Sequence, residues 1–214
     1  MRDLGFGTAY ETTILKNLLT NLIRKYGITR VLEYPTTTLL DDFEYEGTAA
    51  PSAPAETKSS LVWNFCQFEH AQDSARFIDE ISSKTDKYVM IIIQNNRNIG
   101  IVLHWIYHKI IGREWDHGKI GKMSPNKLRE AIAEKALVMR EDGFHDVPWF
   151  VIDVYESGNF LRKLVPSSLL RKEEIRPSRL ENLPRLVKSF LAHHYHVLVE
   201  KEAGADGDQP FEVS

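Results

Sequence analysis

The run "KYVMIIIQN", residues 87–95, narrows the folds open to this 214-residue chain more than any other stretch. Its apolar residues do not alternate with polar ones. A strand built from them needs cover on both faces, as the central strands of parallel sheets have. The run is far too short to cross a bilayer. A sheet covered on both faces needs helices between its strands, and the rest of the sequence supplies them.

Residues 9–25 place Ile14, Leu15, Leu18, Leu19, Leu22 and Ile23 at helical spacing, ending near Gly27. "TRVLEY" (29–34) and "SLVWNFC" (60–66) are short buried strands. "DSARFIDEISSKT" (73–85) is an amphipathic helix with Asp73 or Ser74 as its N-cap. "IGIVLHWIYHKIIG" (99–112) is a helix closed by Gly112, and "SPNKLREAIAEKAL" (124–137) starts with Ser124 as N-cap and Pro125 at the first helical position. Strand-like "LVMRED" (137–142), a helix around 179–192 and a last strand "YHVLVEK" (195–201) complete the series. This alternation predicts an α/β fold with a mainly parallel sheet.

Composition narrows the function classes. Hydrophobic residues at 43% and charged residues at 27% describe a globular protein, expected as one domain over residues 1–201. "EGTAAPSAPAETKSS" (46–60) reads as a flexible connector, and the acidic "EAGADGDQPFEVS" (202–214) as a disordered tail. The net charge of −3 gives no general attraction to nucleic acid. Basic residues in 167–188 are interleaved with glutamates, which favours a solvated helical face over a nucleic-acid stripe. The lone Cys66 excludes an internal disulfide and suits a reducing compartment. "MRDLGFGTAYE" lacks the apolar core of a signal peptide, so a cytoplasmic protein without a membrane span is expected. No P-loop, GxSxG elbow or CxxC pair is present.

The residues "GTAYE" (7–11), "VLEYP" (31–35), "LVWNFCQFE" (61–69), "IIIQNNRNIGIVLHWIYHKIIGREWDHG" (91–118) and "MSPNKLREA" (123–131) occur in an order that carries a resemblance. The chain resembles the class I S-adenosylmethionine-dependent methyltransferase family, particularly its archaeal-type methyltransferase-like members, over most of residues 4–150. The resemblance implies a Rossmann-like sheet whose first strand ends in an acid and a glycine-rich loop, and whose second strand ends in a ribose-holding acid. It also implies that the last strand runs antiparallel between its neighbours.

The sequence departs from that pattern twice. "PTTTLLDD" stands where glycines would let the backbone approach a ligand. Only 24 residues, 36–59, separate "VLEYP" from "SLVWNF", whereas one strand–helix–strand unit takes about 30 or more. The second and third strands of the family therefore have no room. Five strands are expected, near 30–34, 61–65, 88–94, 138–142 and 195–200, with "TRVLEY" at an edge.

Several residues are candidates for a site. Tyr10 and Glu11 match a family motif near the cofactor mouth, although a helix N-terminus favours acids in any case. Glu33 could hold a ligand amine, cap the next turn or face solvent. Asn64, Phe65 and Cys66 end a strand, where ligands approach open α/β sheets, but a purely structural strand end is the reading favoured for them. His104 and His108, four apart on one helix, could share a metal with His117 and Asp116 or Glu114. The apolar helix and its Trp105 and Tyr107 speak for packing instead, and no metal site is expected. "HHYH" (193–196) reads as surface or interface histidines.

These readings lead to a degenerate methyltransferase-like protein, a non-catalytic binding or scaffolding subunit that holds no cofactor by itself. One alternative is an active methyltransferase that binds S-adenosylmethionine in an abbreviated pocket through Tyr10, Glu11, Glu33, Asn64 and Phe65. The other is a small-molecule or metal-binding protein using the same cleft. A bare edge strand invites pairing, so a protein partner or second copy is expected along residues 30–45.

Overall fold

The computed structural model describes residues 9–35, 59–112, 114–115, 117–146 and 182–202, and the structural statements below concern these residues. Five strands form one sheet: β1 (Val31–Glu33), β2 (Ser59–Phe65), β3 (Thr85–Gln94), β4 (Leu137–His145) and β5 (His194–Lys201). Their spatial order is β1-β2-β3-β5-β4. β1, β2 and β3 pair in parallel, and β5 runs antiparallel between β3 and β4. All five expected strands are present, with β1 at an edge and the last strand reversed between its neighbours.

Alternation along the central strands divides the core in two. Val89, Ile91 and Ile93 of β3 pack with Val62, Val197 and Val199 against one helical layer. That layer contains α2 (Ser74–Ser83) through Ile78 and Ile81, and α4 (Pro125–Ala133) through Leu128 and Ile132. Tyr88, Met90 and Ile92 face the other way, with Trp63, Phe65 and Leu198, against Leu15, Leu19, Leu22 and Ile23 of α1 (Ala9–Tyr26). β3 is thus buried on both faces, as its unbroken apolar run requires.

Local chemistry explains the helix ends. The Asp73 carboxylate accepts from the Ala75 and Arg76 amides, capping α2 and settling the choice between Asp73 and Ser74. α3 (Ile99–Ile111) starts at Asn98, whose side chain accepts from the Gly100 amide, and ends at Gly112 with φ 67°. α4 has Pro125 at its start, as expected, but Ser124 makes no capping bond and the helix stops at Ala133, short of residue 137. α5 is Arg185–Leu191, within the expected 179–192, of which 179–181 lie outside the described residues. Pro184 fixes its start, because a proline is tolerated at a helix entrance and disrupts an interior.

Other expectations shift or fall outside the described residues. β2 begins at Ser59, so the last two residues of the expected connector 46–60 are strand: Ser60 Oγ accepts from the Thr29 and Arg30 amides and ties β2 to the β1 entrance. Residues 46–58 and 203–214 lie outside the described residues. So do 36–45 of the expected partner face. α3 inverts its expected packing. His104 and His108 are buried, while Leu103, Trp105, Ile106 and, at 77% exposure, Ile110 face outward.

A polar junction joins four elements on the α2/α4 side. The Asp142 carboxylate of β4 accepts from Arg129 of α4, Arg185 of α5 and the Tyr195 hydroxyl of β5. Burial alone would raise the Asp142 carboxyl, but these donors hold it down at about 2.

The buried sheet core and the open side of α3 set a contrast in stability. Ile91→Ala, at a site 1% exposed, is expected to cost about 2–5 kcal/mol in urea unfolding. Ile110→Ala, on the open side of α3, is expected to stay within about 0.5 kcal/mol of the parent.

Candidate functional site at the C-terminal edge of the sheet

β2, β3 and β4 end on one edge of the sheet, and the reversed β5 begins there. This is the edge at which ligands bind in open α/β sheets. β2 ends in Asn64 and Phe65, followed by Cys66 with φ 50°. β3 ends in Gln94 and Asn95, β4 in His145 and Asp146, and β5 starts from His193 and His194. Asn64, Asn95, Asp146 and His194 are fully buried.

Three asparagines brace this edge. Asn64 Nδ2 donates to the Tyr34 carbonyl at 2.9 Å, holding the chain that leaves β1. Asn95 Nδ2 donates to the Ser189 and Ala192 carbonyls, both at 2.9 Å, and Asn98 Nδ2 to the Leu191 carbonyl at 2.8 Å. The last carbonyls of α5 lack helical partners, and these side chains supply them. The turn into β5 is fixed as a result. The Asn95 amide donates to the His193 carbonyl at 2.7 Å, and the His193 amide to the Asp146 carbonyl at 3.0 Å.

Seven histidines and one aspartate stand in two groups. At the sheet edge, His193 Nδ1 and His194 Nδ1 lie 3.3 and 3.5 Å from Asp146 Oδ2. His145 sits opposite His194 in the β4–β5 register and stacks on it, with ring centroids 5.5 Å apart. His196 Nδ1 is 3.3 Å from His145 Nδ1. A Cβ at Gly143 would stand 2.8 Å from His196 Cε1, so glycine makes room for that ring. Burial keeps His145 well below the usual histidine range and brings His196 down to about 4. Burial would raise Asp146, but hydrogen bonds from His193 and His194 outweigh it and hold the carboxylate well below its usual range. The expectation that "HHYH" lies at the surface is overturned: β5 is an inner strand, and its first histidines enter the core with it.

The second group is on α3. His104 Nε2 and His108 Nε2 are 2.8 Å apart, with the His117 ring 5.1 Å from that of His104. His108 Nδ1 donates to the Glu114 carbonyl at 2.9 Å, so Glu114 meets this group through its backbone. Asp116 lies outside the described residues. Trp115 packs on all three rings, and its indole N–H donates to the Gly118 carbonyl at 2.7 Å. Trp115 also lines a cavity of about 570 Å³ with Ile101, Trp105 and Lys109. Gly118, with φ 88°, is packed so closely that a Cβ would meet Glu69 Cβ at 2.9 Å.

Glu69 is a functional candidate that the sequence reading missed. It is fully buried, and its Oε1 accepts from the Gln94 amide at 2.7 Å. Burial raises its carboxyl from 4.5 to about 7, against the pull of that amide, its own amide and the Cys66 side chain. Of the residues singled out beforehand, Glu33 ends β1 and is partly buried, and Phe65 packs its ring 4.9 Å from His194. Tyr10 and Glu11 lie in the first turn of α1. Their side chains fall outside what is described.

Several buried polar atoms on this edge have no hydrogen-bond partner among the described residues. They are Asn64 Oδ1, Glu69 Oε2, His145 Nε2, His196 Nε2 and Asp146 Oδ1. Each such atom costs on the order of 1–3 kcal/mol, and a concentration of them in one place calls for an explanation.

No family model and no curated protein matches the chain. Solved structures do. The magnesium protoporphyrin IX methyltransferase (ChlM) from Synechocystis PCC 6803 with bound SAH is similar at 8% identity and a TM-score of 0.44, over 87% of this chain and 81% of that one. A putative sarcosine dimethylglycine methyltransferase from Galdieria sulphuraria is similar at 14% identity and a TM-score of 0.37, over 86% and 73%. The plantazolicin methyltransferase BpumL in complex with SAH follows at 7% identity and 0.34, over 86% and 71%. With TM-scores below 0.5, these likenesses carry no argument about activity. The α/β fold rests on the strand order of the chain itself.

The Glu69 carboxyl generates a pH test. Its folded pKa lies above the unfolded one, so its contribution to stability is full below about 4.5 and is lost as pH rises through about 7. Glu69→Gln removes this dependence. The stability of the variant relative to the parent is expected to rise by about 2–3 kcal/mol between pH 4.5 and 8, measured by urea unfolding across that range.

Proposed function

We propose that this chain is a methyltransferase-like α/β protein that binds rather than methylates, acting as a subunit of a protein complex without a nucleoside cofactor of its own. The observation that carries the reading is the use made of Asn64. Its amide is bonded to the Tyr34 carbonyl, so it braces the end of β1 where the family pattern would present a ligand contact. The short interval between β1 and β2, which has no room for the ribose-holding strand, supports the same reading. No described helix is long and apolar enough to cross a membrane.

A second reading, an S-adenosylmethionine-dependent methyltransferase with an abbreviated pocket, draws support from Glu33 at the end of β1 and from Asn64 Oδ1, which has no hydrogen-bond partner among the described residues. Tyr10, Glu11 and Phe65 would then line the pocket. Calorimetric titration with S-adenosylmethionine and S-adenosylhomocysteine separates the two. Loss of the ribose acid and loop amides removes several kcal/mol, about a thousandfold in affinity, so no binding at micromolar concentrations is expected. A micromolar Kd abolished by Glu33→Ala would establish the second reading.

The partner face is proposed along residues 30–45. Among the described residues nothing pairs with the outer side of β1, and Leu32 is 37% exposed. Unpaired strand edges attract further strands. Light scattering after size exclusion is expected to show a dimer or a co-purifying subunit, with slow amide exchange over 30–34. A monomer with fast exchange there would remove this face from consideration.

A further inference from the structure

We propose that Asp146, His193 and His194 form a binding site for a divalent cation of the zinc class, held at the C-terminal edge of the sheet. One carboxylate oxygen and two imidazole nitrogens lie within 4.8 Å of one another, and all three residues are buried. The separations point to a shared cation. Hydrogen bonds between imidazole and carboxylate in a charge-assisted pair run at about 2.7–2.9 Å. Here the nitrogens stand 3.3 and 3.5 Å from Asp146 Oδ2. Ligands about 2.0–2.1 Å from a tetrahedral metal are separated by roughly 3.3–3.4 Å, the edge of that tetrahedron. An octahedral arrangement with the same bond lengths would bring neighbouring ligands to about 2.9 Å.

Charge gives an independent argument. Asp146 is buried, and its ion-pair partners are these two histidines. A buried carboxylate facing imidazoles needs a proton on one ring or a cation among them. Its second oxygen, Oδ1, has no hydrogen-bond partner among the described residues and is available as a further ligand. The backbone already holds the ligands in place. Asp146 has φ 63°, its carbonyl accepts from the His193 amide, and the His193 carbonyl accepts from Asn95. A site assembled by the fold binds a cation without ordering new chain.

The α3 group differs in a decisive way. A backbone carbonyl can only accept, so His108 Nδ1 carries the proton donated to Glu114 and its Nε2 is a lone pair. His104 Nε2–H fits against that lone pair at 2.8 Å as an ordinary N–H···N bond. This pair stands at ordinary N–H···N distance, whereas the nitrogens around Asp146 stand further off, at the edge length of a tetrahedral site.

The test uses the full chain without a histidine tag. After zinc loading and dialysis, elemental analysis is expected to give about one zinc per chain, and cobalt(II) to produce the intense visible bands of a tetrahedral N/O site. Asp146→Asn suits the left-handed backbone there and should take the zinc content to near zero, as should His194→Gln. Chelation should lower the melting temperature of the parent and leave that of Asp146→Asn unchanged. If either variant fails to fold, the cobalt spectrum of the parent decides. Absence of zinc from the loaded parent overturns the proposal. So does full zinc content in Asp146→Asn, zinc lost instead from His104→Gln, or a thiolate charge-transfer band assigning the metal to Cys66.

Discussion

The architecture depends on one reversed strand. β5 is wedged between β3 and β4 and runs against both, so its first residues arrive where those two strands finish. Backbone hydrogen bonds continue across this junction beyond the strands, from Asn95 to His193 and from His193 to Asp146. If β5 were parallel to its neighbours, His193 and His194 would lie at the opposite end of the sheet, more than twenty ångströms away at about 3.3 Å per residue. The concentration of polar groups at one edge is a consequence of topology.

An inner strand that begins with histidines has to satisfy them. Along β5, period 2 places Tyr195, Val197 and Val199 on the α2/α4 side and His194, His196 and Leu198 on the α1 side. The Tyr195 hydroxyl meets Asp142 and Arg129. That junction ties α4, α5 and β4 to the strand. The histidines meet one another, with His145 contributed by β4 and Gly143 leaving space for His196. Neutral rings suit this enclosure, and burial holds His145 and His196 in that form.

Much of the fold was legible in the sequence because hydrophobic periodicity reports burial directly. The unbroken "YVMIIIQ" demanded cover on both faces, and α1 and the α2/α4 layer provide it. Gly112 and Asp73 marked helix ends by known backbone chemistry. The site was less legible. Histidine is compatible with surface and core alike, so "HHYH" carried no direction until β5 was known to be an inner strand. On α3 the apolar letters suggested an inward face, yet the inward positions are His104 and His108, whose nitrogens find partners in each other and in the Glu114 carbonyl. Glu69 stood in a stretch noted only for its resemblance, with nothing local to show that Gln94, 25 residues away, would take its carboxylate.

The stretch "VLEYP", one of those that carry the resemblance, acquires a physical meaning from what surrounds it. β1 is three residues long and ends in Glu33, and the chain after it is held by the Tyr34 carbonyl on Asn64 and the Tyr34 amide on Trp63. These contacts brace a short edge strand. Polar atoms without hydrogen-bond partners among the described residues occur along this edge from Asn64 beside β1 and Glu69 after β2 to His145, Asp146 and His196 around β4 and β5. The histidine and aspartate atoms among them stand on β4, on β5 and just after β4, beside the reversal. The reversal thus gathers histidine and carboxylate side chains at the edge where the ends of open α/β strands lie.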